Sequence, residues 1–362
     1  MPGDRRAERQ SALRATLEAE GLDGLLVTHL PNVRYLTGFT GSAALLLVHA
    51  GATVLVTDFR YAAQAPAEAA GAATVEVDQK SVWDRLGGVL SGLPQGAIGI
   101  ESSSISVKDA ERVTSLTRSR LVPAADLVER QRMVKSPEEV AAIRAAAELA
   151  QDALAEVLPT IGVGRSELEI AATLEAALRR RGSEWHPFPT IVASGPRSAL
   201  PHARTSVRTV GRGEWLLLDF GAQVDGYCAD LTRTFVVGAR ADQRQAAMYD
   251  LVRRAQGRAV ERLRPGMSGR EGDALAREVI AGRGFGEAFG HSLGHGLGLE
   301  VHEAPRLAPT SELPVPQGAV VTVEPGVYFP GWGGIRLEDD LFLGADGPEL
   351  LSNGRTELVE LV

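Results

Sequence analysis

Two aspartates flank a turn signal in the 362-residue sequence. Asp225-Gly226 separates two strand-like runs, and an Asp-Gly pair in that setting favours a two-residue hairpin turn. If this pair forms the turn, Asp219 lies opposite Thr232, and Asp230 faces the same side as a diagonal neighbour of Asp219. Two carboxylates on one side of an apolar hairpin repel each other and are costly to bury. A cation between them would remove that cost.

Three histidines lie within twelve positions of a glycine-rich segment. His291, His295 and His302 fall in residues 290–303, where the glycines permit irregular turns and close approach of the backbone. The glycine spacing over residues 294–298 does not match a dinucleotide-binding loop, and no βαβ pattern surrounds it. The segment therefore favours a functional site over a core element.

Two glutamates complete a candidate ligand set. Glu324 ends the apolar run 319–323, and Glu338 lies in the strand-like stretch 334–342. Two Asp, one His and two Glu offer mostly oxygen ligands, which suit Mn²⁺, Co²⁺ or Zn²⁺, and the lack of thiolates argues against a structural zinc site. Four carboxylates balance the charge of two divalent ions, which indicates a carboxylate-bridged pair about 3.5–4 Å apart.

Each of these acidic residues also has a structural interpretation. Asp219 could end a strand at the surface, and Asp230 could pair with Arg233. Glu324 and Glu338 could each be turn residues at the end of a buried strand. The combination of all of them with the histidine segment favours the metal site.

The elements that must position these residues change in character along the chain. Helical spacing at residues 9–20 alternates with short apolar runs at 24–28, 74–77 and 97–100. This alternation predicts a compact α/β domain over residues 1–127.

A helix start marks the beginning of a second domain. Ser136 can cap a helix, Pro137 suits its first turn, and Glu139 completes a capping box. We place a linker around residues 126–134 and an α+β domain over residues 134–362. Longer helices are predicted near residues 166–181, 243–262 and 269–283.

Composition excludes several classes of protein. Hydrophobic residues make up 44% and charged residues 23%, which excludes disordered and low-complexity chains. The net charge of −8 argues against a non-specific nucleic-acid binder. A single cysteine, Cys228, permits no intrachain disulfide and is predicted to be a small core residue. With no apolar segment of the ~20 residues that a membrane span needs and no secretory signal in residues 1–10, we expect no membrane association and a cytoplasmic location.

The ligand candidates stand in sequence contexts that resemble the pita-bread metallopeptidases, and within them the aminopeptidase P and prolidase branch. The contexts are LDFG at Asp219, DLTRT at Asp230, GHSLGHGLGLEVHE at His295, VTVEPGVY at Glu324 and GIRLEDD at Glu338. The resemblance covers almost the whole chain. It implies a creatinase-type N-terminal α/β domain followed by an α+β pita-bread catalytic domain.

The resemblance implies a role for each matching ligand. Asp219 would chelate one metal ion, Asp230 and Glu338 would bridge both, and His295 and Glu324 would complete the shell of the other. The nucleophile would be a hydroxide bridging the ions, because metal coordination lowers the pKa of bound water to about 7. Glu324 would also accept and shuttle a proton.

Five further residues match positions around the substrate. His302 would help to stabilise the tetrahedral oxyanion, and His291 would orient the scissile peptide. His202 matches a histidine near the proline-binding subsite, and Arg336 matches an arginine that orients a bridging carboxylate. Phe188 aligns with an apolar wall of the proline pocket, with plain core packing as the alternative.

Two positions depart from the family pattern. Ala203 stands where members often have Gly, and Pro189 where they often have Asp. The resemblance places both beside the substrate cleft. They therefore bear on the details of the substrate subsites rather than on the metal site.

Two segments of the first domain, residues 35–42 and 57–61, resemble the smaller bacterial aminopeptidases P more than archaeal prolidases. In these homodimers the N-terminal domain can reach the active site of the partner, which makes Asp58, Arg60 and Tyr61 candidate substrate contacts. In the alternative interpretation, Asp58 caps the following helix and Arg60 pairs nearby.

The resemblance implies a homodimeric enzyme that cleaves proline-containing peptides before proline. We favour an aminopeptidase P, which leaves the far end of its substrate open, over a prolidase, which needs a basic group facing the carboxylate of the product proline. Methionine aminopeptidase shares the metal core, but the extra N-terminal domain argues against it. Creatinase dispenses with metal, and non-catalytic pita-bread modules typically lose ligands, whereas this sequence retains them all.

Overall fold

The computed structural model describes residues 4–352 and 357–362, which divide into two compact units. One unit ends at Arg132 and the other begins at Met133. The segment 126–134, predicted to be a linker, contains a helix at Leu127–Arg132 that belongs to the first unit. Leu127 and Val128 of this helix are buried, so the segment packs with the first unit rather than acting as a linker.

The N-terminal unit is built on one mixed six-stranded sheet. Its helices are α1 (Arg6–Ala19), α2 (Leu30–Thr37), α3 (Gln64–Glu68), α4 (Val82–Ser91), α5 (Val107–Leu116) and α6 (Leu127–Arg132). Its strands are β1 (Gly24–Val27), β2 (Ala44–His49), β3 (Thr53–Asp58), β4 (Thr74–Asp78), β5 (Ala97–Glu101) and β6 (Arg120–Ala124). The order is β4-β3-β2-β1-β5-β6, with β2 antiparallel to both neighbours and the outer pairs parallel. The predicted α/β class of this domain is confirmed.

The second unit combines four helices with two larger sheets. The helices are α7 (Pro137–Val157), α8 (Glu167–Arg180), α9 (Gln243–Arg262) and α10 (Gly269–Ala281). The first strands are β7 (Ile191–Ser194), β8 (Glu214–Phe220), β9 (Gln223–Val224), β10 (Tyr227–Cys228), β11 (Leu231–Val237), β12 (Gly294–Gly296) and β13 (Glu303–Leu307). The remaining strands are β14 (Val320–Val323), β15 (Gly326–Phe329), β16 (Gly333–Arg336), β17 (Asp339–Gly344), β18 (Gly347–Leu350) and β19 (Val359–Leu361).

The sheets of this unit are ordered β19-β11-β8-β7 and β13-β12-β14-β17-β18, with separate pairs β9–β10 and β15–β16. This arrangement confirms the predicted α+β class of the second domain. None of the helices in the described ranges has the length and apolar character that a membrane span requires.

Local capping sets where the helices begin. The Ser136 hydroxyl accepts from the Glu139 N–H, and the Glu139 carboxylate accepts from the Ser136 N–H, as the predicted capping box requires. Reciprocal pairs of the same kind start α8 at Ser166 and α10 at Ser268. These caps satisfy backbone N–H groups that have no partner within the helix.

The alternation of side chains in the strands separates core from site. In β8, Leu216 and Leu218 pack with α7 and α8, so Asp219 faces the other side of the sheet. In β14, Val321 and Val323 belong to the core formed with α9 and α10, and Thr322 faces away from it. In each of these two strands, the polar side chain that reaches the site therefore points away from the side chains that pack in that core.

Candidate metal centre

The hairpin that carries the first two acidic residues forms as predicted. Asp225 and Gly226 both have positive φ, 48° and 76°, which two-residue hairpin turns require. Asp219 pairs directly with Thr232 in the β8–β11 ladder. Asp230 lies between β10 and β11, one residue before the start of β11.

The five predicted metal ligands line one cavity of about 730 Å³. Ligand atoms of Asp230, His295 and Glu338 lie within 4.8 Å of one another. The Nε2 atom of His295 is 3.8 Å from Asp230 Oδ2 and 3.4 Å from Glu324 Oε1. The fifth predicted ligand, Asp219, also lines this cavity.

The orientation of His295 leaves one ring nitrogen free for a ligand. Its Nδ1 lies 3.1 Å from the carbonyl oxygen of Gly296, which can only accept, so Nδ1 carries the hydrogen. Burial lowers the pKa of His295 to about 4, and the imidazole is therefore neutral near pH 7. Its bare Nε2 lone pair faces carboxylate oxygens, an arrangement that is repulsive unless a cation or a carboxyl proton lies between them.

The four carboxylates have the electrostatics of a cation site. Burial raises the pKa of Asp219, Asp230 and Glu338, and it raises the pKa of Glu324 to about 8. For Asp230 and Glu338 the neighbouring carboxylates raise the pKa further. Within the described ranges, Asp230 Oδ1 is buried and has no hydrogen-bond partner. Divalent cations would compensate these charges and occupy the orphaned oxygen, so the residues fit a metal pair.

Two neighbouring groups orient the acidic ligands. Arg336 Nη2 donates to Asp219 Oδ2 at 2.5 Å, and Arg336 Nε donates to the Thr232 hydroxyl at 3.1 Å. The same hydroxyl donates to Glu338 Oε2 at 2.5 Å. Arg336 therefore positions two ligands, one directly and one through Thr232.

A second hydroxyl, that of Thr322, positions the other ligands. It accepts the backbone N–H of His295 at 3.1 Å and donates to Glu324 Oε1 at 3.3 Å. Because Thr322 lies on β14, its hydroxyl links the backbone of β12 to the carboxylate that follows β14. His295 and Glu324 thus keep a fixed relation to each other.

Sequence reasoning missed Tyr328, which links two of the predicted residues. Arg336 Nη1 donates to the Tyr328 hydroxyl at 2.7 Å, and this hydroxyl lies 2.8 Å from His291 Nε2. His291 Nδ1 faces the Ser292 carbonyl at 2.8 Å and so carries the hydrogen, which makes Nε2 the acceptor for Tyr328. The signal was available, because Tyr328 ends the VTVEPGVY context.

The structure also brings the predicted substrate-side residues to this cavity. His202, His302, Phe188 and Arg336 line it, and the rings of His295 and His302 have centroids 4.3 Å apart. Both His202 and His302 are exposed. Their positions suit contact with a ligand, and their roles remain predictions.

Three predicted contacts belong to the N-terminal unit and are not among the residues that line this cavity. Asp58 accepts the backbone N–H of Arg60 at 3.0 Å and its guanidinium at 2.7 Å. The Tyr61 hydroxyl lies 2.6 Å from the Ser42 hydroxyl. The structure thus displays the alternative interpretation, in which Asp58 caps a short turn and pairs with Arg60.

Two arginines at the cavity were also missed. Arg204 and Arg306 line it, both are exposed, and across residues 4–352 and 357–362 neither side chain has a hydrogen-bond or ion-pair partner. Arg306 lies on β13 directly opposite His295 on β12. Opposed residues on paired strands project to the same face, so Arg306 projects to the side of the metal ligand.

Two protein-family descriptions match this chain. The description "Creatinase/Prolidase N-terminal domain" matches residues 9–134, and "Metallopeptidase family M24" matches residues 141–345. The chain belongs to metallopeptidase family M24. The predicted two-domain architecture of this M24 peptidase is therefore confirmed, and members of the family use a pair of divalent metal ions.

Named relatives share this architecture over nearly the full length. The chain is 35% identical to an Xaa-Pro dipeptidase of Pyrococcus horikoshii over 95% of its own length and 96% of the relative. It superimposes on an Xaa-Pro dipeptidase from Bacillus anthracis with a TM-score of 0.94 and 37% identity, covering 98% and 99% of the two chains. An X-Pro aminopeptidase from Thermotoga maritima gives a TM-score of 0.90 and 36% identity over 97% and 99%.

Cys228 has the structural role that the sequence predicts. Its side chain is buried, and burial raises the pKa of the thiol to about 12. A thiol with such a pKa is unreactive near neutral pH.

Proposed function

We propose that this M24 peptidase is an Xaa-Pro dipeptidase, which hydrolyses the bond before the C-terminal proline of a dipeptide. The observation that carries the proposal is the unpaired guanidinium of Arg306 in the cavity of the metal ligands. The dipeptidase names of the Pyrococcus and B. anthracis relatives support the same activity. The aminopeptidase P activity favoured from the sequence becomes the second candidate, and the T. maritima aminopeptidase is the relative that supports it.

Arg306 meets the requirement that separates a dipeptidase from an aminopeptidase. A dipeptidase must recognise the free carboxylate directly after the scissile bond. Guanidinium groups bind carboxylates through two parallel charge-assisted hydrogen bonds. Because Arg306 lies on β13, next to His295 in the ladder, its distance from the metal ligands is held by backbone pairing rather than by a loop.

The residues of the chain divide the reaction between them. Two divalent ions held by Asp219, Asp230, His295, Glu324 and Glu338 would polarise the scissile carbonyl and lower the pKa of a bound water molecule. Glu324, a carboxylate within the cavity, accepts the proton of that water and passes it to the proline nitrogen, which has no hydrogen of its own.

The two exposed histidines, His202 and His302, contact the substrate directly. In our proposal, His302 donates a hydrogen bond to the oxygen on which negative charge develops, and His202 contacts the proline side of the bound dipeptide. Phe188 contacts the proline ring. Arg336 and Tyr328 keep Asp219 and His291 in place and touch neither end of the peptide.

We further propose that the ions are manganese, that the enzyme is a homodimer, and that it is cytoplasmic. Carboxylate-rich sites suit Mn²⁺, and the lack of an intrachain disulfide suits a reducing compartment. Metal analysis of protein purified without added metal, sedimentation equilibrium and cell fractionation test the three statements separately.

The deciding experiment compares an Xaa-Pro dipeptide with the matching Xaa-Pro-Yaa tripeptide on Mn²⁺-loaded enzyme. We expect efficient cleavage of the dipeptide and poor cleavage of the tripeptide, because only the dipeptide places a carboxylate against Arg306. Efficient release of the first residue from the tripeptide would instead establish the aminopeptidase P activity.

Arg306→Gln is expected to raise KM for the dipeptide by about 10- to 100-fold, with little change in kcat. A charge-assisted hydrogen bond contributes about 1.5–3 kcal/mol, and each 1.4 kcal/mol is about tenfold in affinity. Arg204→Gln removes the same charge from a loop in the same cavity and serves as the matched comparison. Equal effects of the two substitutions would show that net charge, rather than Arg306 itself, attracts the substrate.

A further inference from the structure

A fully buried carboxylate lies outside the metal centre and is used by none of the steps above. Glu167 is the first residue of α8, and its side chain has no exposed surface. A buried carboxylate needs several donors to offset its desolvation. Glu167 accepts hydrogen bonds from donors in one segment, residues 194–206, which we call the His202 loop.

Glu167 joins the two ends of the His202 loop. Its Oε1 accepts from the backbone N–H and hydroxyl of Ser194 at 2.8 and 2.9 Å. Its Oε2 accepts from the backbone N–H and hydroxyl of Ser206 at 3.0 and 2.6 Å. Arg197 Nε lies 3.2 Å from both oxygens. One carboxylate therefore closes a loop whose two ends are twelve residues apart in the sequence.

The same loop delivers side chains to the cavity. His202 and Arg204 both line it. The guanidinium of Arg197, which is held by Glu167, donates to the backbone carbonyl of Arg204. A chain of contacts thus runs from the carboxylate of Glu167 to the backbone beside His202.

The tip of the loop has a separate attachment to β16. Ser198 Oγ accepts the backbone N–H of Gly334 at 2.8 Å. Arg336 Nη1 donates to the Pro201 carbonyl at 3.3 Å. Loss of the Glu167 contacts is therefore expected to loosen the ends of the loop while the tip remains attached to β16.

Capping of α8 does not require Glu167. The N-cap of this helix is Ser166, whose partner in the capping box is Glu169. Glu169 is exposed, whereas Glu167 is buried. The two glutamates lie two residues apart in the first turn of α8. Glu169 caps the helix, and Glu167 binds the His202 loop.

We propose that Glu167 is a positioning residue that sets the location of His202 and thereby the affinity for the dipeptide. This inference rests on the proposed function, because its kinetic readout is KM for an Xaa-Pro dipeptide. Glu167 touches neither substrate nor metal ligands. Its effect therefore falls on KM rather than on metal content.

The test compares Glu167→Gln with Glu169→Gln. In Glu167→Gln an NH₂ group replaces one oxygen and faces donors of Ser206 or Ser194, which breaks one end of the loop. We expect KM to rise about tenfold and kcat to change less than threefold, since charge-assisted hydrogen bonds are lost only at the loop. Glu169→Gln keeps a capping-box partner, as Gln245 is in α9, but removes the negative charge at the start of α8, so it is expected to lower the melting temperature slightly with KM unchanged.

A double-substitution cycle separates positioning from general destabilisation. In the His202→Ala background, Glu167→Gln is expected to add less than twofold to KM, because the residue through which it acts is gone. Additive effects of the two substitutions would overturn the proposal. So would a lowered melting temperature with KM within twofold of the unmodified enzyme.

Hydrogen exchange tests the same inference without substrate. Amides of residues 196–205 are expected to exchange faster in Glu167→Gln than in Glu169→Gln. If Glu167→Gln does not fold, Ser206→Ala removes the 2.6 Å hydroxyl contact to Glu167 and the acceptor of the Arg208 N–H, and it leaves the Ser206 N–H contact to Glu167 in place. It is expected to have the same effects at smaller size. If the amides of the His202 loop exchange at the same rate in Glu167→Gln as in the unmodified enzyme, the positioning role is overturned. If the unmodified enzyme does not cleave the dipeptide, only the proposed function is contradicted.

Discussion

Glu324→Ala is expected to lower kcat for Xaa-Pro cleavage by about 10²–10⁴-fold, the range for loss of a general acid–base group, with a further loss from the missing metal ligand. Glu324 lies 3.4 Å from His295 Nε2 and is held by the Thr322 hydroxyl. The substitution therefore removes a proton carrier and a charged ligand at one position.

Turnover and metal content, measured on the same preparations, check this prediction. We expect less than the full metal complement in Glu324→Ala and partial recovery of binding, without recovery of turnover, at high Mn²⁺ concentration. Glu312→Ala is the matched control, because Glu312 is an exposed glutamate whose side chain keeps 66% of its accessible surface. Near-normal kcat in Glu324→Ala would refute the assigned role.

The metal-free protein is expected to become less stable as the pH rises from 6.5 to 8. Burial raises the pKa of Glu324 from 4.5 to about 8, so its protonated form is favoured in the folded state. The contribution of this carboxyl to the free energy of unfolding is fully present below its unfolded pKa of 4.5, and it is lost as the pH rises towards 8. Over 1.5 pH units the loss is about 2 kcal/mol for this carboxyl.

The buried histidines do not offset this loss in the chosen window. Burial lowers the pKa of His291 and His295 to about 4, so their contribution to stability is lost only as the pH falls below their unfolded pKa of 6.5. Between pH 6.5 and 8 the raised pKa values of the carboxylates dominate. Asp230 and Glu338 shift in the same direction as Glu324.

Thermal unfolding of chelator-treated protein at pH 6.5, 7.25 and 8 measures the effect. The melting temperature is expected to fall by several degrees across this range, at about 2–4 °C per kcal/mol. Added Mn²⁺ is expected to reverse the fall, because cations stabilise the ionised carboxylates. Glu324→Gln should flatten the pH dependence, and a melting temperature that rises with pH in the metal-free protein would contradict the prediction.

Local interactions made much of the structure predictable. The turn at Asp225-Gly226 depends on backbone preferences of two adjacent residues, and it sets the pairing of Asp219 with Thr232. The capping box at Ser136 depends on residues three apart, and it places the start of α7. Neither requires knowledge of any distant part of the chain.

The candidate ligands were predictable for a different reason. Each of the five stands in a sequence context typical of the family, so their types and order were sufficient to identify the set. The structure brings them to one cavity although Asp219 and Glu338 are more than 100 positions apart. The structure pairs Asp58 with Arg60, as the alternative interpretation expects, and their role as substrate contacts stays a prediction.

The sequence by itself determined the two domains, the capped helices, the hairpin and the chemical types of the ligands, because these depend on neighbouring residues or on motifs. Only the tertiary structure decided that Tyr328 joins Arg336 to His291, that Arg306 stands opposite His295, and that Glu167 closes the loop carrying His202. These contacts connect separate strands and loops. Their geometry depends on how the sheets pack and on which buried charges must find partners, and no local spacing in the sequence encodes that.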